Sequence, residues 1–279
     1  GGQDRIGSAA QALAEQQLAE VGQPRRDQRR RVAQQRAVAG GLQVVGLAYN
    51  THVHWCRLHE NGRDARAYMA AHPGVTIGSS DGCQMTGVNT LFEFNQITDA
   101  GQYGMRLSCH LFSGFHQKQI NGIFRFNVIH GCKSSAVLMS SGAECDPTVD
   151  LAGNLFENNI CWGNNTAALV ASPDVNLGMG YYQGDWYPLV IDLYQNSGGI
   201  SGMPWPVGSL AGNIFRNNIW SRDANDTKFA MIVKNAGGAL VNGYYTMPQF
   251  EATFPGCVNN KWKQDPLFVN AAARDFHLQ

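Results

Sequence analysis

The chain has 279 residues, 44% of them apolar and only 15% charged, which excludes both a disordered polymer and a coiled coil. Lys+Arg and Asp+Glu cancel at 21 each, so no global field draws the chain to nucleic acid or to a membrane surface. No apolar run reaches the roughly 18 residues of a membrane span, and no signal-peptide core is visible at the N-terminus.

Residues 1–41 are rich in Gln, Ala and Arg and contain no aromatic residue. Ala9 to Val21 has helix propensity, and Arg25-Arg26-Asp27-Gln28-Arg29-Arg30-Arg31 follows it. We expect a disordered segment or a loosely attached helix, separate from a domain spanning 42–279. The competing reading of the Arg cluster is a nucleic-acid or anionic-surface patch. Nucleic acid is not the partner we expect.

From Leu42 to Tyr49 the sequence reads as a buried strand. Thr51-His52-Val53-His54-Trp55 alternates, which puts both histidines on one strand face. With His59 they invite a metal reading, but no further ligand falls at a spacing that completes a site. No metal centre is expected.

A repeat begins near residue 88. Four segments superimpose: Thr90 to Ile97, Gly122 to Ile129, Asn154 to Cys161 and Asn213 to Trp220. Phe92, Phe124, Phe156 and Phe215 share one position, and Asn95, Asn127, Asn159 and Asn218 share another, at steps of 32, 32 and 59 residues. Ten and twelve residues after each Asn come Met105 and Leu107, then Val137 and Met139, then Leu169 and Ala171, spaced as inward residues of a second strand. A fixed period of short strands and turns marks a solenoid, in which each unit buries its apolar face only against its neighbours. The Phe residues should stack inside it. The Asn residues should line one turn, where the amide can bond to the next layer and the residue tolerates left-handed backbone.

Residues 176–208 read as a long insertion that breaks the period, rich in Gly and Pro and carrying Tyr181, Tyr182, Trp186 and Trp205. Exposed rings on such a loop would suit sugar faces, or would pack on themselves as a small core. The seven cysteines, with no C-x-x-C pair, read as small buried apolar residues, with Cys109 to Cys132 or Cys145 as an alternative disulfide. The sequons at Asn164 and Asn225 permit N-glycosylation in a secretory eukaryote.

The N-x-F-x-x-N-x-I repeat over residues 88–235 resembles the right-handed parallel β-helix proteins of the pectate-lyase-like superfamily. Gln264 to Gln279 looks like the closing segment of bacterial members. The expected fold is therefore all-β, a right-handed parallel β-helix over about residues 75–260. The resemblance implies a secreted or cell-surface protein whose partner is a polysaccharide. It implies a lyase, in which calcium can neutralise a uronate, or a hydrolase with paired carboxylates. The alternative is a glycan-binding, adhesin or structural β-helix without catalysis. No catalytic motif of the family is intact, so candidates come from position. Arg106 should point outward between Met105 and Leu107, followed by His110, His116 and Lys118. Such a cluster could take a proton and hold an acidic sugar. Lys118 precedes Asp150 by 32 residues, so the two should neighbour each other across layers, with a surface ion pair as the plainer reading. For a hydrolase the candidates are Asp146, Asp150 and Asp185, with Glu144, Asp174 and Asp192 behind them.

Overall fold

Apolar runs of two to five residues, cut by Asn, Gly or a single left-handed residue, give this chain short strands and sharp corners. A computed structural model describes residues 42–44, 48–61, 81–101, 103–109, 111–112, 115–132, 135–141, 145–164, 188–193, 209–220, 228–236, 239–273 and 275–278. Residues 1–41 and the aromatic residues Tyr181, Tyr182, Trp186 and Trp205 lie outside the described residues.

The described chain is mostly β, arranged in parallel sheets that it visits in a fixed cycle. Cys83–Met85 belongs to sheet A, Gly87–Val88 to sheet B, Leu91–Glu93 to sheet C and Gln96–Thr98 to sheet D. Met105–Cys109 then returns to sheet A, and Gln119–Ile120, Ile123–Arg125 and Val128–His130 repeat the cycle in parallel register. Val137–Ser141, Leu151–Ala152, Leu155–Glu157 and Ile160–Trp162 repeat it again. Each strand thus finds its hydrogen-bond partners one cycle away. A single cycle has no stable edge of its own.

The aligned sequence segments are the matching strands of successive layers. Phe92, Phe124, Phe156 and Phe215 are all buried. Three of the rings stack, with centroids 4.7 Å apart for Phe124–Phe156 and 4.8 Å for Phe156–Phe215, while Phe92 meets Phe124 tilted at 6.2 Å. Beside them runs a buried amide ladder. Asn127 Oδ1 accepts from the backbone N of Asn95 at 2.9 Å and from its Nδ2 at 3.1 Å, and Asn159 Oδ1 serves Asn127 in the same way. Each Nδ2 also donates to a carbonyl in the layer before, so the corner between sheets C and D keeps no buried polar group waiting.

The stack extends further toward the N-terminus than residue 75. His52–His54 pairs with Leu91–Glu93, and Arg57–His59 with Gln96–Thr98. Val53 takes the Phe position, and Cys56 takes the Asn position, its backbone N donating to Asn95 Oδ1 at 2.9 Å. At the other end Lys261–Trp262 joins sheet D, with Asn260 bonded to Asn218. From Leu42 to Tyr49 the described strand is only Leu42–Val44, and Tyr49 is exposed.

One expected column is corrected. The partners of Val137 and Met139 in sheet A are Leu189 and Ile191, not Leu169 and Ala171. The next sheet A strand begins at Leu189, 52 residues after Val137, so counting forward by 32 misses the register. For the same reason residues 176–208 are not one uninterrupted loop: Leu189–Leu193 within them is a strand of sheet A.

Sheet A ends in the antiparallel hairpin Ala230–Ala236 and Ala239–Tyr245. Of the two described α-helices, α1 (Pro147–Asp150) is a single turn and α2 (Met247–Thr253) seals one end of the Phe column, Phe250 meeting Phe215 edge-on at 6.0 Å. Thr246 and Gln249 form a capping box at the start of α2. Phe268 and Phe276 of the C-terminal hairpin seat against Trp162 and His130 on the outer side of sheet D. None of the seven cysteines forms a disulfide, and six are buried. No helix among the described residues is long and apolar enough to cross a membrane.

Candidate functional site

In sheet A alternate residues face inward: Cys83 and Met85, Met105 and Leu107, Val137 and Met139 are buried in the core. The residues between them face the other way. Gln84, Arg106 and Leu138 are cross-strand neighbours in one outward column, and Ser108 and Ser140 in the next, with Asp192 their backbone register partner. Arg106 therefore points outward, as its position implied, with its side chain 27% exposed. Its Nε donates to Ser140 Oγ at 3.4 Å, and Nη1 lies 3.9 Å from Asp81 Oδ2. Gln84 Nε2 donates to Ser108 Oγ at 3.1 Å. A cation, two hydroxyls and an amide thus share one face on consecutive strands, but Gln84, Ser108 and Ser140 are buried and only Arg106 reaches solvent. Asp192 joins this row by strand register alone; nothing in the sequence had tied it to Arg106.

Lys118 sits apart from that row, beside the sheet B strand Gln119–Ile120. Its Nζ is 2.9 Å from Asp150 Oδ1, so the expected neighbour across layers is present. The Asp150 side chain is only 3% exposed, and its Oδ2 accepts from the backbone N of Asp146 at 3.1 Å. Asp146 in turn caps α1, its Oδ1 accepting from Thr148 N at 2.9 Å and Thr148 Oγ1 at 2.6 Å. The hydrogen bond to Asp150, reinforced by its charge, raises the pKa of Lys118 against the opposing effect of burial. Lys118 is thereby held as an ammonium, the opposite of what proton abstraction requires. Asp146 and Asp150 are both engaged in this local network.

The four basic candidates are not one cluster in what is described. Arg106 has Ser140 and Asp81, while Lys118 has Asp150. His116 lies on the strand Phe115–His116, paired antiparallel with Leu111–Phe112. His110 and Asp185, with Glu144 and Asp174, fall outside the described residues. The sequon at Asn164 is closed to glycosylation in the folded chain, because Asn164 is buried and its Oδ1 accepts from Cys132 N at 3.0 Å. Among the described residues no group of three His, Cys, Asp or Glu gathers to hold a metal ion. His52 and His59 instead meet Glu93 and Thr98.

Two outward rows escaped the sequence reading although the aligned segments contain them. Glu93, Arg125, Glu157 and Arg216 form an alternating charge column on sheet C. Trp55, Phe94 and Phe126 form a stacked aromatic column at the next corner, with centroid separations of 4.7 and 5.1 Å. Comparison with known proteins finds no matching family model, no matching curated protein and no matching solved structure.

Proposed function

We propose that the stacked layers form a right-handed parallel β-helix of the pectate-lyase-like kind, and that the protein is carbohydrate-active, engaging an extracellular polysaccharide along the outer face of sheet A. The observation that carries this reading is Arg106, partly exposed on a rigid strand and braced by the buried Ser140, with Gln84 and Ser108 buried in the same outward row. Arg106 supplies the charge that would orient a carboxylate-bearing sugar, while the buried amide and hydroxyls beside it fix its row. Rigid strands hold the row without further ordering on binding.

Cleavage is the activity we favour on this face, by a lyase or a hydrolase. Lys118 is not the base we would choose, because Asp150 keeps it charged. Calcium would assist a lyase by neutralising a uronate. Binding without turnover is the second reading. It is favoured by the engagement of Asp146 and Asp150 with their own loop, which leaves that hydrolase pair without a free carboxylate role.

A panel of neutral and acidic polysaccharides tests this. Ultraviolet absorbance of an unsaturated uronate reports a lyase, reducing ends without it report a hydrolase, and retention on immobilised glycan reports binding. Arg106→Lys, which keeps the positive charge beside Asp81, should weaken binding or turnover about 10-fold or more on an acidic glycan through loss of the bidentate fork, while circular dichroism stays that of the wild type. Absence of both binding and products across the panel sinks the proposal.

A further inference from the structure

The outer face of sheet C carries a pattern that the polysaccharide reading does not use. Three columns run along the stack. Leu91, Ile123, Leu155 and Ile214 form an aliphatic column, and Glu93, Arg125, Glu157 and Arg216 a charged one. At the bordering corner stand Trp55, Phe94 and Phe126, followed by Asn158 and Asn217.

Two observations set this face apart. Ile123, Phe94, Phe126 and Trp55 are 37%, 37%, 42% and 71% exposed, an apolar patch on one side of the molecule. The corner residues also share left-handed backbone, with φ of 56°, 55° and 55° for Trp55, Phe94 and Phe126 and 56° for both Asn158 and Asn217. Asn tolerates that conformation; an aromatic residue does not favour it. The strained aromatic residues therefore occupy positions where the same turn is made more easily by Asn in later layers.

We infer that this face is a self-complementary surface on which a second copy of the chain docks through a two-fold axis. The charges specify the occupant. Read along the stack they alternate as Glu93, Arg125, Glu157, Arg216. An axis in the plane of the face, perpendicular to the stack and passing between the strands of Arg125 and Glu157, reverses that order in the second copy. Arg125 then faces Glu157 of the second copy, and Arg216 of the second copy lies over the nearly buried Glu93, so the column joins opposite signs. The same operation sets Ile123 against Leu155 and the edge of Phe126 against the Asn158 amide. An isologous contact requires this kind of palindromic complementarity. Within one chain the charges are already joined, Arg125 Nε to Glu93 at 2.9 Å and Arg216 Nη2 to Glu157 at 2.9 Å, so the dimer extends existing pairs into a network.

The face is small. Four strands about 4.8 Å apart and a few residues of about 3.3 Å rise cover on the order of 300 Å² per copy, less than the roughly 800 Å² of a standard interface. The dimer is consequently weak and reversible.

Sedimentation equilibrium of the full chain tests it. The wild type should show monomer–dimer exchange that weakens with added salt. Arg125→Glu alone and Glu157→Arg alone should each lower the association constant about 10-fold or more, because each puts like charges opposite one another. An equimolar mixture of the two variants should recover association, since each position 125 then again faces a position 157 of opposite sign across the interface. Phe126→Asn should weaken association while the fold holds, as Asn already occupies that corner at 158 and 217. A wild type that stays monomeric up to about 1 mM, or a mixture that associates no better than either variant alone, overturns the proposal.

Discussion

Asn127 shows how much one side chain does in this fold. Its Oδ1 accepts two hydrogen bonds from Asn95, its Nδ2 donates to the Phe92 carbonyl at 3.0 Å and to Asn159 Oδ1 at 3.0 Å, and none of these groups reaches water. Truncation leaves the buried Asn95 N–H and the Phe92 carbonyl unsatisfied at once. Each costs about 1–3 kcal/mol, so Asn127→Ala should lose about 3–5 kcal/mol in urea unfolding. A loss below about 1 kcal/mol would mean that water or a shifted backbone replaces the ladder. The position of this Asn was legible because amide and aromatic recur together at a fixed step. The polar row around Arg106 was not, because Gln84, Ser108 and Ser140 are ordinary surface residue types, gathered only by strand register.

Among the elements, the Phe column is the clearest case of sequence announcing structure. The aligned segments held its members and their neighbours before any geometry. Its first and last layers were missed because Val53 and Cys257 replace Phe there, and Cys56 replaces Asn at the start. The apolar character survived while the residue type did not. Phe124 is fully buried between Phe92 and Phe156, so Phe124→Ala should cost about 3–5 kcal/mol through lost burial and the cavity left behind. The denaturant midpoint should fall without a change in slope. A fall of less than about 1 kcal/mol would show that the layers collapse to fill the gap.

For the whole molecule, stability should depend on pH through ion pairs that join layers. The folded pKa of Lys118 is raised above its ordinary value of 10.5, chiefly by the hydrogen bond to Asp150. Its contribution is therefore complete below that ordinary value and is lost as pH rises through the folded one. At Glu93 burial opposes ionisation, but hydrogen bonds from Arg125 and His52 outweigh it and hold the carboxyl below its usual range. That contribution is complete above the usual carboxylate range and fades as pH falls through the lowered value. Melting temperature should be flat near neutrality and decline on both sides. Lys118→Met should remove the alkaline component and cost about 2 kcal/mol at neutral pH, because it strands a buried carboxylate while solvent reaches only the lysine side. An alkaline decline that persists unchanged in this variant would assign it to other groups.

The layers keep their register whatever the length of chain between them. Asn127 and Asn159 are 32 residues apart and bond as neighbours, while Asn159 and Asn218 are 59 apart and bond in the same way. Contact, not separation along the sequence, is what the stack recognises. Doubling the length of chain between two layers costs only about 0.6 kcal/mol in closure entropy. New sequence inserted between Asn159 and Asn218 is therefore expected to leave the amide and aromatic columns as they are.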